Sequence, residues 1–502
     1  MGKLSLKQEI KFHLGINVLI AVFITIASYA HYPYGNLKAF FIYCFHFLLL
    51  QFSIFGFVYL LGLSKKIFQI LFPILFTVLV SISFWVYTQD ITISTGMIQV
   101  IIEANMDIAL DVLSAEYILY LIISLSCLFF FLKKFRKVKV SSFKSPLFFV
   151  SILAISVFFL VENYKYGAFK RRLPYNVYFG LLTYVNKPNL KLKEVKGNII
   201  SKENNLEIIF VLGESVRADH LSLNGYNRNT TPLLSKQKNV VSFHKVYTPL
   251  TYTAISVPQI LTSKSIDDIK DSAEEISLYS VLRKANFDTK WIGNQTLEKS
   301  YKDIVDSNES VTIIDKFHSV LSFKKEKDLS LLKYFSIDDS LIKNKISTIH
   351  MIGSHWYYNS RFDSDLEYFK PITSSKYIGS SSAEEIINSY DNTILYLDYF
   401  LNNLIEKLKK SSKKTILIYL SDHGEILGED GRWMHAQNHK ASKNPAMLVW
   451  FSSNFEKNSP LKISNLKAKK KDSITTDFLF HSILDIAKIE NFNYIKTQSI
   501  FN

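Results

Sequence analysis

Residues 13–30, 39–63, 67–88, 117–132 and 145–161 are long apolar runs, and a chain that carries them has few ways to fold. Most approach the roughly 20 residues a helix needs to cross a bilayer, so they predict five transmembrane helices. Buried helices of a soluble protein are the plainer alternative, but those seldom run so long without an interior charge.

The Lys and Arg residues of the short loops set the expected orientation. Lys3, Lys7 and Lys11 precede or enter the first run, Lys65 and Lys66 follow the second, and Lys134, Arg136, Lys137 and Lys139 follow the fourth; these belong on the cytoplasmic side. The stretch 89–116 has no Lys or Arg but has Asp90, Glu103, Asp107 and Asp111, which suits the outer face. The N-terminus is therefore expected in the cytoplasm and everything after about Glu162 outside it, in a periplasm if the cell is Gram-negative. Ser28-Tyr29-Ala30 has the form of a signal-peptidase site, yet the run is long and further spans follow, so a retained anchor is expected.

Cys44 and Cys127 both fall within predicted spans, so the outer part holds no disulfide of its own and no thiolate ligand. A metal there must be bound by His, carboxylate or hydroxyl groups. The net charge of +15 is divided between the cytoplasmic loops and a Lys-rich outer segment. Outside the cytoplasm the polyanion at hand is lipid, not nucleic acid, and a Lys excess fits a solvated surface equally well, so charge assigns no function by itself.

From 163 to 205 the chain mixes Tyr, Phe and Leu with Lys and Arg, the pattern of an amphipathic interfacial segment or of a plain linker. The expected organisation is thus a transmembrane domain over 1–162, a linker over 163–205 and an outer domain over 206–502. That outer domain reads as α/β. "LEIIFVLGES" (206–215) and "KTILIYLSDHGE" (414–425) are β-rich runs that stop abruptly, and 383–409 carries a helical apolar pattern. Strands alternating with helices imply a mainly parallel sheet whose sites lie at the carboxyl ends of the strands.

Glu214, Asp422 and His423 all sit at such ends. Two carboxylates and an imidazole on one rim suit a divalent cation, with zinc favoured by the nitrogen ligand, although Asp-His-Gly also makes an ordinary turn. "PLTYTAISVPQILT" (249–262) puts hydroxyls at Thr251 and Thr253 where a helix should begin. A helix start offers donors to an anion, and a hydroxyl there is either a nucleophile or a simple cap.

Together these strings resemble the phosphoethanolamine transferases of Gram-negative envelopes, the group that includes lipid A-modifying and mobilised colistin-resistance enzymes. The resemblance rests on "GESVRADHLSLNGYNRNTTP" (213–232), "TYTAISVP" (251–258), "IGSHWYYNSRF" (352–362), "YDNTILYLD" (390–398), "SDHGEILGEDG" (421–431) and "DFLFHSIL" (477–484), in the family's order. It implies an alkaline phosphatase-like (sulfatase-like) outer domain in which Glu214, Thr251, Asp422 and His423 hold one zinc ion and Thr251 is the nucleophile. It implies that His355 and His435 line the phosphate pocket or take a second metal that comes with substrate. It further implies a monomer that takes phosphoethanolamine from phosphatidylethanolamine, through a phospho-threonine intermediate, to lipid A, a lipooligosaccharide core or another periplasmic glycan or protein. Polymyxin resistance would follow only for lipid A.

The chain departs from that family in places. Pro249-Leu250 stand where many members have Cys-Gly, and "EANMDIALD" matches the headgroup loop only partly, leaving Glu103 and Asn105 as weak candidates for lipid contact. Ser215 is expected to be a turn residue, His439 to be exposed, His220 and His350 to be structural, and Asp477 and His481 to serve packing or capping as readily as substrate. A phosphoglycerol transferase using phosphatidylglycerol would share the anchor, the fold and the metal set. A sulfatase would show Cys or Ser in a C/S-x-P-x-R string, which is absent, and an inactive scaffold would be expected to lack a ligand.

Overall fold

The computed structural model describes residues 3–30, 36–89, 91, 93, 95–103, 113–138, 145–164, 168–186, 190–268, 274–295, 297–314, 326–337 and 343–502. Two compact units emerge, one of Met1–Gln99, Leu113–Lys187 and Tyr377–Gly379, the other of Val100–Val112, Pro188–Lys376 and Ser380–Asn502.

In the first unit, four helices among the described residues are long and apolar enough to cross a membrane: Leu37–Gly62, Lys65–Thr88, Ala115–Phe135 and Pro146–Tyr164. The expectation of five is corrected at the first run. Its helix begins at Lys3 and stops at Phe23. Ile24 then leaves helical geometry (φ −128°, ψ −63°) and Thr25–Ser28 forms a 3-10 turn. With Lys3, Lys7, Glu9 and Lys11 in its first half, the uncharged helical stretch falls short of the ~20 residues a span needs.

Local signals start two of the four helices. Asn36 Oδ1 accepts from Ala39 N at 2.9 Å and Ser114 Oγ from Tyr117 N at 3.2 Å. Phenylalanines knit the interior: the ring centroids of Phe12 and Phe135 lie 4.6 Å apart, and those of Phe68 and Phe135 4.5 Å. On the outside, Phe45, Leu119, Phe129, Phe149 and Leu160 are 60% to 69% exposed. Helix after helix with an apolar outer face is matched to lipid, not to water. Within the expected linker, Tyr175–Asn186 is helical.

The second unit is built on seven strands: β1 (Leu206–Gly213), β2 (Val240–Phe243), β3 (Asp288–Gly293), β4 (Ser310–Ile313), β5 (Lys345–His350), β6 (Lys414–Ser421) and β7 (Met447–Phe451). Their spatial order is β2-β7-β6-β1-β5-β3-β4. Every residue of β1 is buried, as a central strand covered on both faces requires. The sheet is mixed and not wholly parallel, because β7 runs antiparallel to both β2 and β6. No long crossover helix separates β6 from β7, and without one the chain returns antiparallel.

Register then builds the rim. Gly213 pairs with Ser421 and Leu212 with His350, so β1, β6 and β5 end side by side. Glu214, Asp422 and Met351 are the next residues off that edge. Helix Ala383–Leu408 starts at a capping box made by Ser382 and Glu385. From it, Tyr390 Oη donates to Ser215 O at 2.7 Å and accepts from Arg217 N at 3.0 Å, which pins the loop after β1.

Candidate metal and phosphate site

Glu214 leaves β1 into a residue with left-handed backbone, Ser215 (φ +59°), the kind of local strain that a tight functional turn holds in place. The Glu214 carboxylate, 1% exposed, accepts from Ser215 Oγ at 3.0 Å and from Thr253 Oγ1 at 2.8 Å. From β6, Asp422 Oδ1 accepts from Ser215 N at 3.2 Å and His423 N at 2.8 Å. His423 Nε2 stands 3.3 Å from Glu214 Oε1 and 3.4 Å from Asp422 Oδ2. The β6–β7 connection returns His435, whose ring centroid lies 4.6 Å from that of His423 and 5.5 Å from that of His355.

One proton position is fixed on each of three imidazoles. His423 Nδ1 lies 2.8 Å from Gly424 O, His355 Nδ1 2.6 Å from Trp356 O, and His435 Nδ1 3.2 Å from a Glu425 carboxylate oxygen. A carbonyl or carboxylate oxygen only accepts, so each Nδ1 is the donor, and in the neutral ring each Nε2 is the nitrogen that keeps its lone pair. Such outer partners are what orient histidines for a metal.

Charge tells the same story. Burial alone would raise Glu214, but the contact with His423 and the charges of His423, His355 and His435 hold it below the usual carboxylate range. Burial and the neighbouring Glu214 push Asp422 up to about 7. Burial works against the charge of His423, yet Asp422 and Glu214 push it up to about 10. His355 falls to about 4, through burial and then the charges of His435 and Arg361, against the pull of Glu214. Two buried carboxylates need a positive charge between them. A bound cation meets that need in place of the His423 proton.

The residues fit a metal on that ground. Glu214, His423 and His435 each offer a ligand atom, all within 4.8 Å of one another. His423 Nε2 is fully buried with no aligned hydrogen-bond partner. A mixed nitrogen and oxygen donor set without sulfur suits zinc.

Thr251 is 7% exposed and reaches this region by its backbone, its carbonyl accepting from Ala436 N at 2.8 Å next to His435. Helix Thr253–Ile260 takes Tyr252 as its N-cap with no side-chain cap bond, so neither threonine is the cap. Thr253 instead spends its hydroxyl on Glu214. Glycine is required at two close approaches. A Cβ on Gly353 (φ +54°) would lie 2.7 Å from Glu214 O, and one on Gly424 2.2 Å from Ala441 O.

Other expectations resolve as follows. His439 is buried, a correction to its expected exposure, because its Nδ1 accepts from Ala441 N as the cap of Lys440–Lys443. His220 bonds Asp391 at 2.8 Å, and His350 packs on Trp291 and Tyr301. Asp477 accepts from Thr475 Oγ1 and Ile266 N, and His481 Nδ1 from Ile495 N. Glu103 ends helix Thr95–Glu103, and Asn105 lies outside the described residues. Sequence reasoning missed Glu425, the buried carboxylate behind His435. Its place two residues beyond His423 was the one available signal.

A family model described as Sulfatase matches residues 207–489. Phosphoethanolamine transferase EptA of Escherichia coli (strain K12) is 30% identical over 310 residues, which covers 60% of this chain and 56% of that protein. Phosphatidylethanolamine transferase Mcr-1 of Escherichia coli is 28% identical over 246 residues, 45% of this chain and 44% of that protein. The chain thus spans about half the length of these curated relatives. Among solved structures, the integral membrane lipooligosaccharide phosphoethanolamine transferase A of Neisseria meningitidis matches with a TM-score of 0.83 over 98% of both chains at 21% identity. That likeness establishes the shared fold, a membrane domain and, over the residues the family model matches, a sulfatase-type α/β domain.

Proposed function

Since the chain belongs to the sulfatase family, we propose that it is a zinc-dependent transferase that moves phosphoethanolamine from phosphatidylethanolamine to an envelope hydroxyl. The observation that carries this reading is the convergence of Glu214, Asp422, His423 and His435 on one buried space. Family membership gives the fold, and the site selects the reaction. The sequence lacks the C/S-x-P-x-R string expected of a sulfatase, and two curated relatives are named for phosphoethanolamine or phosphatidylethanolamine transfer.

Zinc held by Glu214, Asp422, His423 and Thr251 would neutralise charge and acidify a hydroxyl. Thr251 is the nucleophile. Its Oγ gives up its proton and bonds to phosphorus in line as the phosphorus–oxygen bond to diacylglycerol breaks, and the departing oxygen takes up that proton. His435 is placed to hold that proton on Nε2, since Glu425 already takes its Nδ1–H. An acceptor hydroxyl then passes its proton to His435 Nε2 and attacks the phosphorus of the phospho-threonine, and Thr251 Oγ leaves and takes that proton back. His355, with Nε2 as its free nitrogen, balances charge on the non-bridging oxygens or joins a second metal. Glu103 and Asn105 remain candidates for headgroup contact.

The chain works as a monomer in the inner membrane, with 1–162 as the anchor, 163–205 as the interfacial linker and 206–502 as the periplasmic catalytic domain. The acceptor is lipid A, a lipooligosaccharide core or another periplasmic glycan or protein. The test is diacylglycerol release by the zinc-loaded full chain in vesicles containing phosphatidylethanolamine and phosphatidylglycerol. Loss of the ethanolamine lipid alone is expected. Loss of phosphatidylglycerol alone would make the protein a phosphoglycerol transferase.

A further inference from the structure

The turn that follows β5 is held at both of its ends by buried charged side chains to which the transfer chemistry assigns no role. Asp328, 1% exposed, begins the 3-10 helix Asp328–Lys333, remote in sequence from the site. Its Oδ1 accepts from Ile352 N at 3.0 Å and from Asn294 Nδ2 at 2.8 Å, and its Oδ2 accepts from Gly353 N at 2.9 Å. At the other end of the turn, Arg361, 2% exposed, donates from Nε to His355 O at 2.8 Å and from Nη2 to Trp356 O at 2.8 Å.

Each bond falls on backbone that the sheet does not use. The amides of Ile352 and Gly353 lie past the end of β5, where a buried donor without a partner costs about 1–3 kcal/mol. Trp356 O, fixed by Arg361, is the same oxygen that takes the Nδ1–H of His355 and so sets which nitrogen that ring keeps free. The held turn also carries Gly353, packed on Glu214, and Ser354, whose N–H bonds Glu214 O at 2.9 Å.

We propose that Asp328 and Arg361 form a two-sided clamp on the 352–356 turn and are positioning residues that aim His355 Nε2 into the phosphate site. This deepens the transferase reading and rests on it. Displacing an aimed group by about 1 Å can cost about 10²-fold in rate. The clamp holds His355 against such a displacement.

The test uses the zinc-loaded full chain in detergent as wild type, Asp328→Ala, His355→Ala and the double variant. Turnover of phosphatidylethanolamine is read as kcat and KM. Alone, Asp328→Ala is expected to lower kcat by about 10²-fold, with Asp328→Asn, which keeps one acceptor oxygen, falling less. In the His355→Ala background it is expected to add nothing, since the group it aims is gone. An equal loss in both backgrounds would overturn the proposal and leave Asp328 a structural residue. The second readout is the ¹⁵N signature of histidine imidazoles in selectively labelled protein, with His355 assigned by its absence in His355→Ala. Wild type is expected to show the Nδ1–H tautomer, and Asp328→Ala or Arg361→Gln a mixture of both. Should Asp328→Ala fail to fold, Arg361→Gln enters the same cycle. An unchanged His355 signature in the variants would also overturn the clamp. A wild type that fails to turn over the lipid would count against the transferase reading alone, because the tautomer measurement needs no turnover.

Discussion

The two units place apolar side chains in opposite ways. In the first, Leu119, Phe129 and Leu160 face outward, whereas in the second β1 and all but the first residue of β6 are buried. One unit is solvated by lipid and buries rings between helices, and the other is solvated by water and buries a sheet. Among the described residues the second alone gathers several charged groups at one sheet edge, because strand ends in register deliver them there. The contrast teaches that long apolar runs locate the anchor, while chemistry is found where such runs stop.

The contrast breaks most sharply at the metal. His423→Ala removes one proposed ligand and the charge partner of Glu214 and Asp422. Zinc content, read by elemental mass spectrometry, is expected to fall to trace. Turnover should drop by more than about 100-fold, the upper figure for mere second-sphere changes, with the helical circular dichroism retained.

Apolar truncations sharpen it next. Leu212→Ala in β1 is expected to cost about 2–5 kcal/mol by calorimetry, and Leu160→Ala, at a 67% exposed position, no more than about 0.5 kcal/mol. Leu119→Arg gives the complementary result. At 60% exposure it would be tolerated on a protein in water, but near the end of a lipid-facing helix it is expected to cost up to the roughly 3 kcal/mol of a central Arg and to reduce membrane insertion.

The smallest effect is a pH dependence confined to the second unit. Burial would raise Glu203, but its bonds to Lys414 and Lys488, and to Asn204 N, bring it below 4.5. A lowered carboxylate stabilises the fold above its ordinary value and loses that contribution as pH falls through the folded value. The melting temperatures of wild type and Glu203→Gln should therefore differ at neutral pH and converge in acid.

Much of this was legible in the sequence for stated physical reasons. β1 and β6 announce themselves as β-rich runs with abrupt ends, and the next residues, Glu214 and Asp422, form the rim. Helix Ala383–Leu408 shows its apolar period over 383–409, while the capping box of Ser382 and Glu385 came only with the structure. The first span was over-read because hydropathy does not register the break at Ile24. Asp328 and Arg361 were illegible because their meaning lies in contacts to the backbone of the 352–356 turn, which no local period encodes. His439 was misjudged for a similar reason, its ring being buried as a cap.

The most direct test of the central claim is peptide mass spectrometry of the zinc-loaded chain, wild type and Thr251→Ala, after exposure to phosphatidylethanolamine. The account predicts a phosphoethanolamine adduct on the Thr251 peptide of the wild type and none in the variant. An adduct on Thr253 or Ser215 instead, or undiminished transfer by Thr251→Ala, would contradict it.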